Sequence, residues 1–186
     1  MVSQFVSSHN VGLLGNLNYN FPAGTHAIGR LDNHSEGLLI LTTNKKVTKL
    51  LFQGPVPHKR IYLVQVKNVM NEETINCLRN GIAISAKEGK EYVTAACEVQ
   101  VVNNPQLICK QAEPLPPFIP VTWLLITLEE GRFHQVRKMV GAVHHKCKRL
   151  IRIAIEDLLL EDLEPGGVKE IAEKDFFRLL KIDNWE

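Results

Sequence analysis

Apolar residues in this chain fall in short runs separated by polar or turn-forming residues. Residues 27–31 and 37–42 read as two short apolar strands, with the polar loop Asp32-Asn33-His34-Ser35-Glu36 between them. Asn44 is placed to cap a short helix through Val47, Leu50 and Leu51, stopped at Gly54-Pro55. The run Ile61-Tyr62-Leu63-Val64-Gln65-Val66 is β-branched and aromatic, which predicts a strand. Asn71 followed by Glu72 and Glu73 marks a helix start; Ile75 and Leu78 supply its apolar face and Gly81 its stop. Residues 92–102 alternate loosely as a strand, and residues 111–120, with four prolines, read as a loop. A strand follows from Val121 to Leu128. A helix after Gly131 turns Val136, Met139, Val140 and Val143 inward, a strand runs from Leu150 to Ile155, and a terminal helix covers residues 173–182. Strands and helices mix without strict βαβ alternation, so the predicted class is α+β.

At 186 residues the chain is long enough for one sizeable core. Hydrophobic residues make up 45% and charged residues 23%, which excludes a disordered chain, and no run approaches the ~20 apolar residues of a membrane helix. The start, Met1-Val2-Ser3-Gln4-Phe5, lacks the basic and apolar regions of a secretory signal. Cys77, Cys97, Cys109 and Cys147 are widely spaced, form no CxxC pair, and are expected to be reduced in a cytoplasmic protein. A metal site built from His134, His144, His145 and Cys147 lacks the paired ligand spacing of zinc sites, so no metal is expected.

Net charge is only +2, but its distribution is uneven. From Gly131 through Arg152 there are seven basic residues and no acidic one; from Glu156 through Glu170 there are six acidic residues and one lysine. Such asymmetry suits a polyanion-binding face, and equally a solvated face with ordinary ion pairs.

The stretch from Gly29 to Thr43 carries the candidate chemistry. It sets the carboxylate of Asp32 on a loop between apolar strands, with a glycine on each side and Arg30 two residues before the acid. By residue type alone, Asp32 is as readily an Asx-turn residue capping its own loop. The pattern Gly29-Arg30-Leu31-Asp32, then Ser35, Gly37 and an apolar run ending in Thr42, resembles the signature of the RsuA/RluB/RluE/RluF family of ribosomal RNA pseudouridine synthases. Lys59-Arg60-Ile61-Tyr62-Leu63-Val64 resembles that family's tyrosine-bearing strand, with Arg60 where a lysine is usual. Glu130-Gly131-Arg132 through Gln135-Val136-Arg137-Lys138-Met139 resembles its later basic block, and Leu150 to Arg152 and Leu163 to Gly166 its ending.

The resemblance implies one catalytic domain over residues 1–186: a mixed, mostly antiparallel sheet with flanking helices and no S4-type RNA-binding domain. In this it is most like the RluE branch. Gln4-Phe5 falls where the family's first strand ends, so that strand is expected to be missing or incomplete. The implied activity is isomerisation of a uridine in ribosomal RNA, large-subunit (23S) RNA by analogy, by an aspartate and without a cofactor. Asp32, Tyr62 and Arg137 are the implied catalytic residues, with Arg137 as the fixed cation beside Asp32 and Tyr62 stacking on the extruded base. Arg30, Arg60, Arg132, Gln135, Lys138 and Arg149 are candidates for contacting the RNA. A monomer with no membrane partner is expected. The competing readings are a non-catalytic RNA-binding module and a synthase for small-subunit or transfer RNA.

Overall fold

The computed structural model describes residues 3–52, 54, 56–86, 89–113, 116, 118–183 and 185. Its centre is an antiparallel sheet of long strands. Strand β4 (Arg60–Lys67) lies between β8 (Val121–Leu128) and β9 (Cys147–Ile155); β7 (Glu98–Val101) extends the β8 side and β10 (Leu158–Leu159) the β9 side. The two-residue β2 (Glu36–Gly37) joins this sheet by pairing parallel with β9. Separate two-stranded ribbons are made by β1 (His26–Ile28) with β3 (Ile40–Thr42), and by β5 (Ala83–Ser85) with β6 (Glu91–Val93). The predicted α+β class and mostly antiparallel sheet are what the structure has.

Alternation along the long strands feeds two cores, one on each face of the sheet. Leu63, Trp123, Ile151 and Ile155 turn to one face, where helix α1 (Val47–Phe52) and helix α4 (Glu173–Leu179) bring Val47, Leu51 and Phe177. Val64, Val66, Leu124, Ile126 and Leu150 turn to the other. There helix α2 (Glu72–Arg79) contributes Ile75 and Leu78, and helix α3 (Gln135–Ala142) contributes Val136, Met139 and Val140. These helix residues are spaced three and four apart, so one stripe of each helix seals the sheet. Asn71 caps α2 as its sequence predicts, accepting from the Thr74 N–H at 2.8 Å.

Several predicted elements are drawn differently. Residues 37–42 do not form one strand: Gly37 pairs with β9 while Ile40 to Thr42 pair with β1, so the segment bridges two sheets. Residues 92–102 likewise divide between β6 and β7. Val143 packs against the core, but from just beyond the end of α3. The terminal helix ends at Leu179. Pro55 and part of the 111–120 loop lie outside the described residues. Ser3 to Val6 form no strand; the Ser3 hydroxyl accepts from the Leu31 N–H at 3.0 Å, and Gln4 O accepts from Leu14 N at 2.9 Å. No helix of the described residues is long and apolar enough to cross a membrane.

Candidate active site

The loop that follows β1 turns back on itself at Asp32. The Asp32 carbonyl accepts from the Ser35 N–H at 2.9 Å, and His34 takes the left-handed conformation this turn requires. Three residues on, Gly37 lies against Arg152 of β9. A Cβ at Gly37 would stand 2.3 Å from the Arg152 carbonyl oxygen, and its φ is +103°. Glycine is therefore needed twice over, for space and for backbone conformation. This contact seats the Asp32 loop alongside β9, with β2 paired to Ile151 and Arg152.

A cavity of about 590 Å³ opens there. Its walls include Asp32 and Ser35 from the loop, Phe52 from α1, Arg60 and Tyr62 from β4, Leu128 from β8, and Leu150 and Arg152 from β9. The volume lies in the range of small-molecule sites. The Asp32 carboxylate makes no hydrogen bond to its own loop, so the Asx-turn alternative is not the one adopted. The carboxylate faces His134, with Nε2 3.7 Å from Oδ1, a pair that attracts only when the imidazole is protonated. Tyr62 sits opposite Arg152 in the β4–β9 pairing.

The segment between β8 and α3 is held by one carboxylate. Glu130 accepts from the hydroxyl of Tyr92, from the Ala95 N–H at 3.0 Å and from the Gln135 side-chain amide at 2.6 Å. The same Gln135 accepts from the Arg132 N–H at 2.9 Å, and the Arg132 guanidinium lies over the Tyr92 ring at 4.2 Å. The loop can then run without a helix cap: His134, in the left-handed region, precedes α3 with no side-chain cap bond. Gly131 matters for space as well, since a Cβ there would meet Arg60 Nη1 at 2.6 Å while Arg60 Nη2 donates to Glu129 O at 3.0 Å.

These placements change the roles read from sequence. Arg137 does not pair with Asp32 as expected. Its Nη2 donates to His34 O at 2.6 Å and lies 3.4 Å from Ser35 Oγ, so the cation braces the loop rather than the carboxylate. Gln135 is 4% exposed, its amide donates to Glu130 and its carbonyl accepts from the Arg132 N–H, so it braces this segment from inside. Arg149 is also occupied: it forks onto Glu36 at 3.0 and 2.8 Å and donates to Gln111 O at 2.7 Å. That pairing holds β2 against β9 and raises the Arg149 pKa above its usual value. Lys138 donates to Ser85 O at 2.6 Å and lies 5.5 Å from the exposed Phe133 ring. Arg30 lines the cavity and has no hydrogen-bond or ion-pair partner among the described residues.

Two residues of the site were missed from sequence. Glu130 looks like one more acid beside Glu129, and only its three partners show its importance. Arg152 looks like one more basic residue in a charged stretch, yet it is 5% exposed in the cavity wall.

One cavity thus brings together the Asp32 loop, the Tyr62 strand and the start of α3 on a mostly antiparallel sheet. The sequence pattern of the RNA pseudouridylate synthase family matches residues 13–142, and the chain belongs to this family. The chain is 36% identical over 152 residues to ribosomal large subunit pseudouridine synthase E of Vibrio vulnificus (strain CMCP6), covering 79% of this chain and 61% of that protein. It is 32% identical over 149 residues to the protein of the same name from Xanthomonas axonopodis pv. citri (strain 306), covering 79% and 76%. The chain thus spans about three fifths of the length of the Vibrio relative. A crystal structure of a pseudouridylate synthase superposes with a TM-score of 0.69 at 23% identity, over 87% of this chain and 63% of that one, which shows the shared fold.

Proposed function

We propose that this chain isomerises a uridine of large-subunit ribosomal RNA to pseudouridine, with Asp32 as the catalytic carboxylate. The observation that carries the reading is a single cavity holding the Asp32 carboxylate beside Tyr62 and a buried arginine, on a chain of this family. The names of the relatives that match over most of this chain support the large-subunit substrate.

The reaction breaks the bond between uracil N1 and ribose C1′, turns the base and forms a bond from C5 to C1′, with loss of the proton at C5 and gain of one at N1. Atoms and charge balance within the nucleotide. Asp32 supplies the nucleophile or the negative charge that stabilises the separated ribose. Tyr62 closes one side of the cavity with an aromatic face suited to stacking on uracil. Arg137 fixes the Asp32 loop through His34 and Ser35, and Glu130 with Gln135 fixes the opposite rim. Arg30, an exposed residue of the cavity lining, offers its cation to RNA phosphate. The target base must leave its helix to enter, so the protein acts on an extruded nucleotide.

The test is to incubate purified protein with full-length 23S and 16S rRNA transcripts and to map pseudouridine by carbodiimide-dependent primer-extension stops. One new stop in 23S rRNA is expected. A stop in 16S rRNA alone overturns the large-subunit assignment, and no stop in either, or in a transfer RNA pool, overturns the activity.

A further inference from the structure

Arg152 is enclosed in the cavity wall, 5% exposed, and the roles above leave part of its guanidinium unassigned. Its Nε donates to Leu38 O at 2.8 Å, while Nη2 is buried with no hydrogen-bond partner. Arginine can only donate, and an enclosed donor without an acceptor is costly. The backbone places this side chain deliberately. Ile61 faces Ala154 and Tyr62 faces Arg152, so β9 carries one extra residue, Ile153, at this point. Such a bulge re-aims the side chains beside it, and bulges concentrate next to active sites. In an unbroken register Tyr62 would face Ile153; the bulge sets a guanidinium there instead. Burial pushes the Arg152 pKa down, helped by the Arg60 cation, while Tyr62, through its charge and a hydrogen bond to the guanidinium, and Asp32 favour the charged form.

A purely structural role accounts for only part of this. The link between β2 and β9 is made by backbone, from Leu38 N to Arg152 O at 2.8 Å, together with the one Nε bond. Neither needs the rest of a planar fork. We propose that Arg152 is a substrate-contacting residue whose guanidinium donates to an oxygen of the inserted nucleotide, either a uracil carbonyl or that nucleotide's own phosphate, beside Asp32 and Tyr62. This rests on the pseudouridine synthase reading and adds the group that holds the target in register with the carboxylate. A planar fork suits either acceptor better than a point charge does.

The test uses the full chain and a short transcript around the uridine mapped above, together with the same RNA made abasic at that one nucleotide. Arg152→Met and Arg152→Lys are compared with wild type by thermal melting, by affinity for both RNAs, and by single-turnover rate at saturating enzyme. A charged-group hydrogen bond predicts a loss of about tenfold or more in affinity or rate for Arg152→Met, and partial recovery in Arg152→Lys. If the acceptor is a uracil carbonyl, the preference for uridine over abasic RNA collapses in Arg152→Met; if it is the phosphate, both RNAs weaken equally. The proposal is overturned if folded Arg152→Met binds and turns over within about twofold of wild type. Should Arg152→Met not fold, Arg152→Lys decides alone, and a wild-type rate in it overturns the proposal. Failure of the wild-type protein to modify any RNA would sink the activity instead, and is seen before any variant is made.

Discussion

Replacing Gly37 by alanine should disturb this protein more than any other conservative glycine change near the site. Its φ of +103° is foreign to L residues, which costs about 1–3 kcal/mol. The new Cβ would also stand 2.3 Å from the Arg152 carbonyl oxygen and 2.7 Å from its nitrogen. These are backbone atoms and cannot rotate away, so β2 must part from β9. The Leu38 N to Arg152 O bond of 2.8 Å goes with it, adding about 1 kcal/mol. The sum is about 3 kcal/mol. Gly24 provides the control, since its φ is +84° and an added Cβ would meet nothing within 4 Å. Gly24→Ala therefore carries only the backbone term, about 1 kcal/mol. For a chain of this size the difference corresponds to a melting temperature about 4–8 °C lower for Gly37→Ala than for Gly24→Ala. Thermal melting and urea denaturation of the two variants side by side read it directly. Equal destabilisation would show that the close approach of Gly37 to Arg152 is not present in solution.

Other parts of the structure are equally open to measurement. Gln135→Ala removes the strut between Glu130 and the Arg132 N–H, and should cost about 1–3 kcal/mol in urea denaturation because both partners lose a bond; an unchanged midpoint would contradict the network. Asn71→Ala deletes the cap of α2 and should cost about 1 kcal/mol with turnover unaffected, since α2 lies away from the cavity. Burial, with Glu130 and Glu98 nearby, pushes the Cys97 thiol up to about 11, so it stays protonated through neutral pH, whereas Cys77 is exposed. Iodoacetamide at pH 8 should modify Cys77 first, and the Cys97 rate should keep rising towards pH 11; early labelling of Cys97, followed by peptide mass analysis, would contradict its described environment.

Much of the fold was legible from the sequence, and the failures have physical causes. The Asp32 loop, the Tyr62 strand and helix α3 were drawn as elements from local signals, namely flanking glycines, a β-branched run and helical spacing, whereas their grouping into one site came from the family resemblance alone. The split of residues 37–42 was not, because a continuous apolar run does not reveal that Gly37 must press on β9 while Ile40 returns to β1. Strand β5 escaped, and β6 was merged with β7, because these ribbon strands have three residues each, too short for alternation to register. Side-chain roles fared worst. Arg137, Arg149 and Arg152 are indistinguishable as basic letters, yet one braces a loop, one forks onto Glu36 and one is enclosed in the cavity. What separates them is the depth and partner each finds in the fold. The Tyr62–Arg152 pairing depends on the single extra residue at Ile153, a register detail that no local pattern encodes.

The central claim is that Asp32 carries the chemistry, and the charge-removing variant tests it most directly. Asp32→Asn keeps the size of the side chain, and the native carboxylate makes no hydrogen bond to its own loop, so folding and RNA affinity should match wild type. Single-turnover pseudouridine formation in 23S rRNA, read as carbodiimide-dependent stops with enzyme in excess, should be abolished. Conversion of a substantial fraction of the target uridine by the folded variant would contradict the account.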